Sequence, residues 1–441
     1  MALTVYNDNL ALVRDVRQVR LPSGALTLRF EDVAASLNPA AVHVRSLTAP
    51  AQVDILEQNY EFDLLEPQKL LQKYVGREVT LVRRETENGA AREREVKATL
   101  LALNNGPIWR IDNEIVTGMS ADHIRFPELP ANLYAEPTLL WRLHNAGPAA
   151  QKLEVSYLTS GLSWNADYVL TLPSTARTAS LDGWVTLTNT SGTSYRDAAL
   201  QLVAGDINRV HPRSESADML KAQEAFRAAA APQFAQEAFA DYHLYTLARR
   251  TSVGQRETKQ ISLLGAAGIP ITKRYVVNGD RMFFRAQRPG AFTRDKVEVF
   301  YSIRNARADG LGQPLPAGTV RVFETDRRGQ AQFVGEDRIT HTPEDETIDL
   351  HVGNAFDVVA ERKQTDFRRP SDDVWETAYE VRLRNHKTSG VRVEVNEPVG
   401  GDWQMIRSSH PFTKTAAFAA QFSADIPAGG ETTITYRVRV R

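Results

Sequence analysis

The chain contains no cysteine and only 5 methionines in 441 residues. The first absence excludes disulfides, thiolate metal sites, iron–sulfur clusters and thiol catalysis together. Lysine is scarce as well: of 53 basic side chains 11 are Lys and 42 are Arg. That bias favours forked pairing with carboxylates, although codon usage in a GC-rich genome produces the same excess. Neither sign of charge predominates, because 54 Asp plus Glu offset the 53 bases. A nearly neutral chain has no global field to draw in a phosphate backbone or an anionic bilayer, so no nucleic-acid partner is expected. No run of 18 apolar residues occurs, so no transmembrane segment is expected either. The opening residues, MALTVYNDNLALVRD, lack the charged and apolar regions of a signal peptide, which leaves a cytosolic protein or one whose leader has been removed.

Recognisable chemistry is equally sparse. The nine His are dispersed, with neither HExxH nor HxH, and no EF-hand loop or glycine-rich phosphate loop occurs. Glu344, Asp345, Glu346, Asp349 and His351 form the closest acidic cluster. It could place oxygens around Ca²⁺, against the competing reading of a solvated turn between strands. GLSWN at 161–165 approaches a nucleophile elbow, but Asn165 stands where the last Gly belongs and the flanks read strand to strand, so Ser163 is not expected to act as a nucleophile. Spacing singles out no catalytic carboxylate pair.

What is present is alternation with a period of two, the pattern of a half-buried strand. Ile434, Tyr436, Val438 and Val440 alternate with Thr435, Arg437, Arg439 and Arg441. Val297, Val299, Tyr301 and Ile303 behave likewise, with Phe300 the exception, and so do Tyr379, Val381, Leu383 and Val391, Val393, Val395. Four such strands reach an Asn: WRLHN at Asn145, WVTLTN at Asn189, YSIRN at Asn305 and YEVRLRN at Asn385. A polar or Gly-containing stretch and another alternating run follow each. Asn suits a strand end entering a turn, so the repeated unit reads as a hairpin.

The fold expected is mainly β: tandem antiparallel immunoglobulin-like β-sandwiches preceded by a β-rich N-terminal domain with one short helix. Residues 1–130 form that domain, with strands at 11–20, 25–30, 42–47, 78–83 and 95–103 and a helix near Pro67 to Tyr74 stopped by Gly76. Residues 131–290 form the first sandwich and 291–441 the second. Near 214–240 an Ala-rich, strand-poor insertion interrupted by Pro232 reads as short helices or a mobile excursion. Its Phe226, Phe234 and Phe239 offer a docking face or pack on their own domain. The C-terminal strand reads as a sheet edge protected by Arg437, Arg439 and Arg441. Trp164 and Tyr168 share one strand face with Ala166 and Leu170, as core aromatics or as a carbohydrate-stacking platform.

SWNADY at 163–168, followed by NTSGTSYRDAALQLVAGDIN at 189–208, resembles mucoidy-inhibitor-A-like proteins, a bacterial domain-of-unknown-function family. YHLYTL at 242–247, TKQISLL at 258–264, PLPAGTVRVFE at 314–324, FVGEDRI at 333–339 and DLHVGNAFDV at 349–358 continue the resemblance in order, which covers roughly 135–441. Tyr195 stands where the family more often has Trp, and the long central coiled coil of some members has no counterpart. The resemblance implies an exported protein, placed in the periplasm or cell envelope, with Met1 to Leu3 read as a start that follows leader removal. It carries no catalytic residues to this chain. Trp164, Tyr168 and Tyr195 are its candidate binding residues.

The function expected is therefore that of an exported cell-envelope protein, a non-enzymatic scaffold or adhesion-type binding module with an envelope protein or glycan as partner. The alternative is an envelope hydrolase acting on a glycan or peptide at an inter-domain cleft, with converging carboxylates or a carboxylate beside His123 or His144. A Ca²⁺-stabilised surface module is a third reading; otherwise no cofactor is expected.

Overall fold

A computed structural model describes residues 1–61, 66–87, 90–104, 106–130, 137–173, 177–205, 234–239, 242–288 and 290–441. The protein is mainly β, 65% strand, with Pro67–Lys73 the one α-helix among the described residues. Two compact units emerge: Met1–Ser163 with Thr188–Leu202 and Arg249–Thr258, and Trp164–Leu187 with Val203–Ala248 and Lys259–Arg441. They divide the chain differently from cuts at 130 and 290, because strand pairing joins residues far apart in sequence. Thr138–Asn145, for example, lies between Gly24–Phe30 and Val53–Glu61.

In the first unit Leu10–Arg20 pairs with Ala2–Tyr6 on one side and Ala150–Thr159 on the other. Leu3, Val5, Val13 and Val155 fill the inward positions of this sheet, and Leu139, Trp141 and Leu143 those of the three-stranded sheet around Thr138–Asn145. A separate five-stranded sheet is built on the hairpin Glu78–Glu87 and Ala90–Ala102. The short helix begins at Pro67, where a missing N–H costs nothing. Beyond its end Gly76 has φ +85°, a conformation that favours glycine, and Tyr74 packs with Leu81, Leu100 and Trp109.

The second unit contains a two-layer sandwich. One layer includes Glu257–Asn278, Val391–Glu397, Ala419–Ile426 and Phe412–Ala416; the other runs Thr293–Asp295, Val358–Ser371, Val374–Asn385, Glu431–Val440, Trp403–Ser408. Val277, Val393, Val395 and Phe422 of the first face Val381, Leu383, Ile434 and Val438 of the second in one core. Two pairings run parallel, Leu162–Leu172 with Gly318–Thr325 and Glu257–Asn278 with Val391–Glu397, whereas Val374–Asn385 is antiparallel to both its neighbours.

The four asparagine-ended strands share one architecture, and it is not a hairpin. Val374–Asn385 pairs with Glu431–Val440, whereas the strand that follows it, Val391–Glu397, pairs with Ala419–Ile426 in the opposite layer. Glu298–Arg304 pairs with Thr347–Asn354, and its successor Gly318–Thr325 with Ala331–Ile339. Thr138–Asn145 pairs with Gly24–Phe30, and its successor Ala150–Thr159 with Leu10–Arg20. Each asparagine thus marks a corner where the chain leaves one strand pair for another. Alternation and turn residues look the same for both geometries, so sequence alone does not separate them.

At each corner the buried amide closes at least three hydrogen bonds. Asn385 Nδ2 donates to the carbonyls of Ser389 at 2.8 Å and Pro427 at 3.0 Å, and Oδ1 accepts from Lys387 N. Asn305 grips Gln313 O and Pro343 O and accepts from Gly312 N; Asn189 grips Thr193 O and Gly254 O and accepts from Ser191 N. Asn145 donates to Leu21 O and Pro148 O and accepts from Gly147 N. In each set one carbonyl, that of Leu21, Gly254, Pro343 or Pro427, precedes the strand that pairs with the asparagine's own, so one side chain ties the outgoing chain to the incoming one. Two donors and an acceptor on a short stem are what asparagine alone supplies.

Two expectations change. Phe234–Phe239 is a strand paired with Tyr242–Leu247, not part of a helix, because a neighbouring ladder overrides the helical propensity of its alanines. The rest of the Ala-rich stretch, Phe226 included, lies outside the described residues. The C-terminal strand Glu431–Val440 is no edge; it lies between Val374–Asn385 and Trp403–Ser408. Arg437 reaches across Val374–Asn385 to Asp366 and Arg439 reaches Glu376 on that adjacent strand, each at 2.6 Å.

Candidate binding edge

The strands Trp403–Ser408 and Phe412–Ala416 follow one another in sequence, and each ends its own sheet among the described residues. Ser409 pins the connection, accepting from Thr435 N through its hydroxyl, while Ser408 Oγ donates to His410 O. Register slips between Met405 and Arg407 and between Lys414 and Ala416 bulge both strands. One side of the sandwich is therefore built from two bulged edges.

Aromatic side chains connect this edge to the core. Trp403 and Phe412 lie 6.2 Å apart by ring centroid, Phe412 and Phe422 6.0 Å, Phe422 and Tyr436 5.2 Å in a stacked pair, and Tyr436 and Tyr379 5.8 Å. Trp403 Nε1 donates to Ala417 O at 2.9 Å, which fixes the indole, and Lys414 Nζ lies 4.9 Å from the ring. Ile406, Phe412 and Phe418 remain 42%, 38% and 51% exposed. The inner end of the row is polar: Tyr436 Oη takes a hydrogen bond from Arg362, which also bonds Asp295 at 2.8 Å and Glu397 at 2.5 Å. A Cβ at Gly279 would come within 2.3 Å of Glu397 Oε2, so a larger residue there would displace this carboxylate. Burial pushes the Glu397 carboxyl up, against the pull of the Arg362 guanidinium, and holds the Tyr436 phenol well above its ordinary range.

The charge on the edge has one sign. From Trp403 to Ala424 there is no Asp or Glu, while Arg407, His410 and Lys414 fall within it. That acid-free run, with Trp403, Phe412 and Phe418, is the sequence signal for this surface. At the neighbouring end of the sheet Trp375 lies opposite Val440 and carries Arg285 at 5.3 Å and Arg369 at 5.9 Å over its ring.

The aromatics first singled out lie elsewhere and are closed off. Trp164 is 2% exposed and donates to Val203 O; Tyr168 is fully buried, with its hydroxyl on Pro316 O at 2.8 Å; Tyr195 is fully buried against Ser191. Burial raises both phenols. Stacking a sugar needs an open ring face, so these three are corrected to core residues. Ser163 sits inside the strand Leu162–Leu172, not at a strand-to-helix elbow.

The acidic cluster is dispersed among arginines. Glu344 pairs with Arg307, Asp345 with Arg304, and Asp349 with Arg274; no group of three His, Asp or Glu among the described residues is arranged to hold a metal. His123 and His144 are exposed, on edge strand His123–Arg125 and on Thr138–Asn145. A depression of about 780 Å³ is lined by Arg274, Arg392, Glu394 and Asp425. Its acids are already paired, Glu394 with Arg274 at 2.7 Å and Asp425 with Arg392 at 2.7 Å, and hydrogen bonding to Arg392 holds the Asp425 carboxyl below its usual range. A general acid needs the opposite shift.

Compared with protein-family models and with curated proteins, the chain matches none.

Proposed function

We propose that this chain is a non-enzymatic binding module, a scaffold or adhesion-type protein of a bacterial cell envelope, which engages its partner at the edge formed by Trp403–Ser408 and Phe412–Ala416. The observation that carries this reading is the exposure of Phe412, Phe418 and Ile406 on an edge whose aromatic row is anchored in the core. Such a surface binds without having to order itself first. Carboxylates already paired with arginines in the depression favour binding over hydrolysis. The envelope setting is supported by the sequence resemblance alone.

The test immobilises the full chain and measures retention of fractionated envelope proteins and glycans, beside a variant with Phe412→Ser and Phe418→Ser. Retention that drops at least about tenfold in the variant supports the reading. Equal retention, or turnover of an envelope glycan or peptide by the wild type, overturns it.

A further inference from the structure

Lys414 shares a strand face with Phe412, the face turned toward Trp403, and is exposed at the sheet edge. A lysine on an edge strand discourages a second copy of that strand from pairing with it. Two copies laid edge to edge would set Lys414 and Arg407 against their own likenesses, with no carboxylate between Trp403 and Ala424 to compensate. The same arrangement rewards a strand of opposite sign. On an edge strand, alternate residues turn N–H and C=O away from the sheet, and Phe412–Ala416 is terminal among the described residues. Phe412 and Phe418 flank Lys414 with open apolar surface.

We propose that Phe412–Ala416 takes an extended acidic polypeptide segment as an added β-strand, with a carboxylate of the incoming strand set against Lys414 and apolar side chains against Phe412 and Phe418. This rests on the binding-module reading above and names its partner. The backbone ladder supplies affinity, and the alternation of acidic with apolar residues supplies selectivity.

The experiment titrates the full chain against a fluorescent peptide of about ten residues alternating Glu with Val, followed by anisotropy. Three companions accompany it: the same peptide with Lys for Glu, the Glu peptide N-methylated at alternate residues, and polyglucuronate. The Glu peptide is expected to bind at least about tenfold more tightly than each companion, and Lys414→Glu to reverse the preference between the Glu and Lys peptides. Amides of Phe412–Ala416 should gain protection from hydrogen exchange on binding. Unchanged affinity in Lys414→Glu, or equal binding of the N-methylated peptide or the polyanion, overturns the proposal. Envelope retention that still depends on Phe412 and Phe418, with no affinity for the Glu peptide, overturns it while leaving the binding-module reading standing. Peptide bound at this strand with no envelope ligand supports it and overturns that reading instead.

Discussion

Arg362 Nη1 lies 2.5 Å from Glu397 Oε1 in the core of the second unit's sandwich, with 2% of one side chain and none of the other exposed. Arg362 Nη2 and Glu397 Oε2 find no hydrogen-bond partner among protein atoms. Two charges withdrawn from water so completely stand or fall together. Removing one leaves the other uncompensated, so Arg362→Met or Glu397→Leu should each cost about 3–5 kcal/mol in urea denaturation, and the double variant clearly less than the sum. Additive losses would show that the two groups are not coupled.

A pair of arginines governs a carboxylate in the first unit. Glu154 is 6% exposed and bonded by both Arg14 and Arg45. Burial pushes its carboxyl up, but the two guanidinium hydrogen bonds outweigh burial and hold it below the usual range. A depressed folded value means stability that is present above the ordinary glutamate pKa, about 4.3, and lost as pH falls through that range toward the folded value. Glu154→Gln should therefore be less stable than the wild type at neutral pH by on the order of 1 kcal/mol, with the gap closing in acid. Denaturant midpoints measured from pH 7 to pH 2 check this, and a pH-independent gap would contradict it.

The asparagine corners make a sharper demand on chemistry than on size. Asn385→Asp keeps the acceptor for Lys387 N but loses both donors and turns a carboxylate toward the carbonyls of Ser389 and Pro427. A loss of about 2–3 kcal/mol is expected, and Asn305→Asp should behave alike. An Asp variant as stable as the wild type at pH 7 would remove the corner's role.

Lys414 is expected to guard solubility. Lys414→Val leaves the flanking Phe412 and Phe418 exposed and should cause concentration-dependent self-association in sedimentation velocity, without lowering the free energy of unfolding by more than about 0.5 kcal/mol. A variant that stays monomeric at high concentration would show that the bulges alone protect the edge.

Much of this fold was legible because period-two alternation reports directly which side chains face a core. Ile434, Tyr436, Val438 and Val440 are all buried, and Trp164 lies in phase with Ala166, Tyr168 and Leu170. Partner choice was not legible, because a corner and a hairpin need the same turn residues. For that reason Asn145, Asn189, Asn305 and Asn385 were readable as strand ends and not as crossings, and Arg437 and Arg439 read as edge charges although they sit on an interior strand. Arg362 left a trace, falling in the inward phase of Val358 and Ala360, where an apolar residue belongs. The binding edge was hidden for another reason. Exposure of Phe412 and Phe418 depends on which strand comes last in a sheet, and that is decided by pairings made up to many tens of residues away.

At Asn385 one amide clasps both the chain that leaves a layer of the sandwich and the chain that returns to it. Neither layer can then open by itself, because freeing one strand tears out a bond that belongs to the other. Melting of that sandwich should accordingly be a single all-or-none event, with amides of Val381 and Val393 expected to lose their protection at the same denaturant concentration.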